Sequence, residues 1–107
     1  MTDENPIAGK TLRWIWTSGP TANQTHEHEF RADGTMTWRI LDGPSQGKSG
    51  DEKKYAAEKV TDDVYVVSYL SQHSKFTVTV VLNFENHQMV GFASNETQWH
   101  PIGGRFE

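Results

Sequence analysis

Large side chains recur at every second position along most of this chain, which is the period of a half-buried strand rather than of a helix. Leu12, Trp14 and Trp16 alternate with Thr11, Arg13 and Ile15. His26, His28 and Phe30 alternate with Thr25, Glu27 and Glu29, and Met36, Trp38 and Ile40 alternate with Thr35, Thr37 and Arg39. Residues 64–70, 76–82 and 89–93 are runs of β-branched and aromatic residues that read as further strands. Asp33-Gly34 is a tight hairpin signal, and Thr61-Asp62-Asp63 and Glu85-Asn86-His87 are polar breaks between strands. The stretch from Asp42 to Gly50, with its glycines and Pro44, reads as a mobile loop. The pattern predicts an all-β chain of about seven or eight short antiparallel strands, spaced as in a barrel or sandwich of hairpins. Helix is confined to short pieces around 5–8 and 94–98. The closing Gly103-Gly104-Arg105-Phe106-Glu107 reads as a final strand that follows a glycine bend and seals the sheet edge.

A chain of 107 residues suits one domain. Residues 1–8 read as an N-terminal segment and 9–107 as a single barrel domain. Mean hydropathy is low, at −0.70. Four Trp, three Tyr and five Phe compensate, because each ring buries roughly 150–250 Å² when all of them face one way. The formal charge of −4, from 10 basic and 14 acidic residues spread along the chain, offers no field to a phosphate backbone, so nucleic acid is not an expected partner. Lys48, Lys53 and Lys54 are interrupted by Asp51 and Glu52 and read as a solvated loop. The absence of cysteine removes disulfides, thiolate metal sites and a thiol nucleophile together. No apolar run approaches the roughly 18 residues of a membrane span. The acidic start Met1-Thr2-Asp3-Glu4-Asn5 is unlike a signal peptide, and the expectation is a cytoplasmic protein.

The stretch Gly9 to Trp16, then Asp33-Gly34-Thr35-Met36-Thr37-Trp38-Arg39-Ile40 and Asp42-Gly43, resembles the core of bacterial phenolic acid decarboxylases and of the related MoaF-like barrels. The resemblance continues through Val64-Tyr65-Val66-Val67-Ser68-Tyr69, Leu82-Asn83-Phe84 and Met89-Val90-Gly91 to Gln98-Trp99. It implies a small up-and-down calycin-like, or lipocalin-like, β-barrel with an interior pocket, and a homodimer. The decarboxylases remove carbon dioxide from hydroxycinnamic acids without a cofactor, using a tyrosine pair, a third tyrosine, an arginine and a glutamate. By this resemblance the pair falls on Trp14 and Trp16, the third tyrosine near His26, the arginine on Lys48 and the glutamate near Ser71. Every active position is changed, and tryptophan has no ionisable hydroxyl. The resemblance therefore implies a fold and a cavity but not decarboxylation.

His26 and His28, two apart on a strand, share one face, and Phe30 marks that face as the inner one. Paired imidazoles suit acid–base duty, ligand contact, metal binding or a structural pair. A metal site wants a third ligand, which Arg31, Ala32 and Asp33 do not supply at cupin spacing, so neither metal nor cofactor is expected. Trp14, Trp16 and Trp38 serve as core or as walls for a flat ligand. Tyr69 and Tyr55 offer hydroxyls, Ser71 falls at the pocket by resemblance, and Lys48 in the glycine-rich loop reads either as a free surface amine or as a lid over the barrel mouth that would favour an anionic, organic ligand. Arg39 alternates with Trp38 and belongs outside, and Trp99-His100-Pro101 reads as a packed corner. Three functions stay open. They are a cofactor-independent lyase or isomerase acting on a small organic acid through His26 or His28, a non-catalytic carrier or sensor, and a dimerising interaction module.

Overall fold

The computed structural model describes residues 7–19, 21–72 and 74–107. Among these described residues nine strands follow one another: β1 (Thr11–Ser18), β2 (Thr25–Phe30), β3 (Met36–Ile40), β4 (Ser49–Glu52), β5 (Tyr55–Thr61), β6 (Val64–Leu70), β7 (Thr77–Asn83), β8 (Gln88–Ser94) and β9 (Trp99–Phe106). All pairings are antiparallel, in the order β4-β3-β2-β1-β9-β8-β7-β6-β5.

The count is nine rather than seven or eight, for a reason that the register makes plain. β4 pairs with β3, and after only Lys53 and Lys54 the chain resumes as β5 and pairs with β6. One extended segment thus serves both edges of the sheet, in two pieces, and leaves an almost closed barrel. The Tyr55 N–H donates to Gly34 O at 2.9 Å, tying the start of β5 back to the β2–β3 hairpin.

Asp33-Gly34 turns as expected. Gly34 has a φ of 92°, open to glycine at little cost, and the Asp33 carboxylate accepts from the Thr35 N–H at 2.9 Å. Two other expectations are corrected. No helix occurs among the described residues, since Ser94 ends β8 and 95–98 form a turn; residues 5 and 6 lie outside them. The glycines near the C-terminus do not precede a strand but lie within β9, which sits centrally between β1 and β8.

Close approach explains Gly104 and, on β8, Gly91. A Cβ on Gly104 would lie 2.0 Å from Ile15 O and one on Gly91 1.8 Å from Thr79 O. At both positions a neighbouring strand's backbone occupies the space that a side chain needs.

Alternation puts Trp14, Phe30, Met36, Leu82, Met89 and Phe106 into the interior, none more than 2% exposed. Arg39 lies outside and pairs with Glu27 at 3.7 Å. Trp99 is not a packed corner: it starts β9 and is 70% exposed. No helix among the described residues is long and apolar enough to cross a membrane.

Candidate functional site

The interior is filled at one end and open at the other. A cavity of about 230 Å³ remains among the side chains of β1, β2, β3, β6, β7, β8 and β9 and the loops after β1 and β6. Its walls are Trp16, Trp38, Ile40, Phe76, Val78 and Ile102, with Ala93 beside them. Its polar lining is His26, His28, Tyr69, Ser71, Thr21 and Ser74. The volume equals about seven or eight waters at roughly 30 Å³ each and is smaller than the ~300–1,000 Å³ of drug-sized sites.

Of the residues singled out in the sequence, Trp16, Trp38, His26, His28, Tyr69 and Ser71 come together here. Trp14 does not line the cavity. It is fully buried and stacks on His28, with ring centroids 3.8 Å apart, so it backs the wall rather than forming it. Lys48 ends the glycine-rich loop, exposed and outside the lining. Tyr55 spends its hydroxyl on Arg31 O at 2.8 Å. His73, which the sequence places near a strand or loop end, lies outside the described residues. His100 packs edge-on to Phe76 at 5.6 Å.

The protonation of His26 follows from its partners. The Trp16 indole N–H donates to His26 Nδ1 at 3.1 Å, and an indole can only donate. Nδ1 is therefore the acceptor, and Nε2 carries the proton it shares with Gln24 Oε1 at 2.9 Å. Both ring nitrogens are engaged, so His26 has no free lone pair with which to act as a base. Burial lowers its pKa to about 4 against the opposing charge of Asp42, whose carboxylate accepts from the Thr25 N–H at 2.8 Å.

His28 is deeper, 1% exposed. Burial first, and the neighbouring His26 second, hold its pKa well below the usual histidine value. Its Nε2 meets the Tyr69 hydroxyl at 3.4 Å, and its Nδ1 has no hydrogen-bond partner. Burial also raises the pKa of Tyr69, helped by the charge of Glu52, so its hydroxyl stays protonated. At neutral pH His26, His28 and Tyr69 are thus all uncharged.

Glu52 corrects the reading of a solvated 48–54 loop. It is 2% exposed, accepting from Trp38 Nε1 at 2.9 Å and from the Gln72 N–H at 3.0 Å. Gly50 lies opposite Trp38 in the β3–β4 ladder, so close that a Cβ would sit 2.7 Å from the indole. Glu52 and Gly50 together fix the Trp38 wall. No alternation marks this short strand among its charged neighbours, so the sequence carried no signal for it. Among the described residues no three His, Asp or Glu side chains come together as metal ligands do.

The sequence model of the MoaF N-terminal domain matches residues 1–98. A crystal structure from Burkholderia vietnamiensis described as a "putative beta-lactamase" is similar in fold, with a TM-score of 0.78 and 23% identity over 99% of this chain and 98% of that one. No curated protein matches the sequence.

Proposed function

The chain belongs to the MoaF family, and from that premise we propose that it is a binding barrel, a carrier or sensor, for one small uncharged ring. The observation that carries this reading is the cavity of about 230 Å³ walled by Trp16 and Trp38 over a neutral His28–Tyr69 pair. A flat ring gains contact with both indoles, and its size is bounded by the volume. Charge selects further. Among the described residues lining the cavity none is Lys or Arg, and Lys48 stands outside it. An organic acid would lose the hydration of its carboxylate with no cation to replace it, which favours a neutral ligand over an anionic one.

Titration of the tryptophan fluorescence at pH 7 tests this with two probes of similar size, benzyl alcohol and benzoate. Saturable binding of the alcohol with little of the anion supports the reading. Saturation by benzoate alone, or by neither, counts against it.

A second reading, acid–base turnover, is favoured by one observation: His28 Nδ1 is buried without a partner beside a protonated tyrosine. In that reading His28 is the catalytic residue and His26 only holds Trp16. Product formation that disappears in His28→Gln but survives His26→Gln distinguishes it from simple carriage.

A further inference from the structure

Two buried hydroxyl groups line the cavity, and what each already accepts decides what each still offers. Tyr69 and Ser71 are two apart and share a face, because Ser71 continues the β6–β7 ladder past Leu70, its N–H donating to Phe76 O at 2.8 Å. Tyr69 is 9% and Ser71 7% exposed, and both reach the cavity. The Ser71 hydroxyl oxygen accepts from the Ser74 N–H at 3.3 Å, and among the described residues nothing accepts the Ser71 proton.

The Tyr69 hydroxyl meets His28 Nε2 at 3.4 Å, so the direction of that contact depends on where His28 holds its proton. His28 Nδ1 has no partner, and a proton there would be an orphaned N–H, which protein interiors tolerate less than an under-satisfied acceptor. The Trp14 indole stacked on His28 already has its own N–H buried without a partner. A second orphaned donor in the same stack would add a further desolvation cost. Nε2 therefore carries the proton and donates to the Tyr69 oxygen, which leaves the Tyr69 O–H without an acceptor among the described residues. Neither nitrogen of His26 supplies one, since both are engaged. Both hydroxyl oxygens thus accept from the protein, and both O–H groups remain to donate.

We infer that the ring held against Trp16 and Trp38 carries a carbonyl group whose oxygen accepts from Tyr69 and Ser71, so that the ligand is a small aromatic or cyclic ketone or lactone. This rests on the reading of the cavity as a site for a neutral ring and adds the polar group which that site selects. A carbonyl oxygen has two lone pairs and no proton, so it uses both donors and brings none of its own. An alcohol also accepts, but it carries a proton that must itself be paired. A ring with no acceptor leaves two buried hydroxyl protons unpaired, and a site that hydrogen-bonds its ligand discriminates against analogues lacking the bonded group.

Calorimetric titration of the full chain at pH 7 with acetophenone and α-methylstyrene tests the inference, because the two share a shape and differ by a carbonyl oxygen against a methylene. In an interior without donors the hydrocarbon binds more tightly, since the ketone loses more hydration. The expected result is a ketone bound at least as tightly as the alkene. Tyr69→Phe then weakens the ketone by about tenfold and leaves the alkene unchanged or tighter; Ser71→Ala, acting in the same direction, is the second variant should the first fold poorly. The carbonyl stretch of bound acetophenone should lie below its value in hexane and rise toward it in Tyr69→Phe, a change that a merely structural tyrosine would not produce. Saturable binding of both probes with the alkene favoured, or a ketone-to-alkene ratio that neither substitution moves, overturns the carbonyl and leaves the neutral-ring reading standing. Binding of neither probe overturns both.

Discussion

Trp38 donates its indole N–H to Glu52 across 2.9 Å of buried interior, with Gly50 directly beneath the ring. The strand that closes the barrel therefore also sets one wall of the cavity. Its two residues are positioning residues, acting through the indole.

Glu52→Gln replaces one of the two accepting carboxylate oxygens with an amide N–H₂, so one of the two donors, Trp38 or Gln72, loses its acceptor. A loss of about 1–3 kcal/mol in chemical denaturation is expected, with a shift in the tryptophan emission maximum. An unchanged midpoint and spectrum would contradict this assignment.

Gly50→Ala moves the indole without touching the carboxylate. A Cβ would stand 2.7 Å from Cζ2 of Trp38, so the ring must leave its place on the wall. Weaker ligand binding with a smaller stability loss than Glu52→Gln is the expected pattern, and equal affinity in both proteins argues against it.

The two C-terminal glycines make a sharper comparison. On Gly104 a Cβ would meet Ile15 O at 2.0 Å, whereas on Gly103 its nearest neighbour is Met89 O at 3.2 Å. Gly104→Ala is expected to cost several kcal/mol or prevent folding, because strand backbone cannot yield as a side-chain tip does. Gly103→Ala is expected to fold with a modest loss, and thermal melts of both check the contrast.

Acid sensitivity follows from the buried imidazoles. Both histidines have lowered folded-state pKa values, so between about 6.5 and 4 the unfolded chain binds protons that the folded chain excludes. Stability is fully present above about pH 6.5 and falls as pH drops, by on the order of 3 kcal/mol for His26 by pH 4. His28→Phe keeps the stack on Trp14, removes the unpartnered Nδ1 and flattens this dependence. Melting temperatures of both proteins across that pH range test it. A slope unaltered by the substitution would contradict the buried, neutral His28.

Much of the architecture was readable because alternation is a direct record of which face a strand buries. Alternation assigns Trp14, Trp16, His28, Phe30 and Trp38 to the interior, and that is where they lie. The pattern cannot separate wall from backing: Trp14 and Trp16 share a face, yet only Trp16 reaches the cavity. Nor does it show partners, so the engagement of both His26 nitrogens was invisible until Gln24 and Trp16 were placed beside it. β4 was hidden because Ser49-Gly50-Asp51-Glu52 has no apolar residue to alternate. The place of β9 is not legible because paired glycines signal a bend in isolation, whereas in context Gly104 answers the close approach of a neighbouring strand.

The central claim is that the space walled by Trp16 and Trp38 is where a small neutral ring resides. Ala93 lines that space, and Ala93→Phe would fill it from β8 with a ring of the protein's own. Calorimetric titration with benzyl alcohol should give saturable heat with the unchanged protein and none with Ala93→Phe, while the variant melts at an equal or higher temperature. Equal binding by both proteins would place the ligand elsewhere and contradict the account.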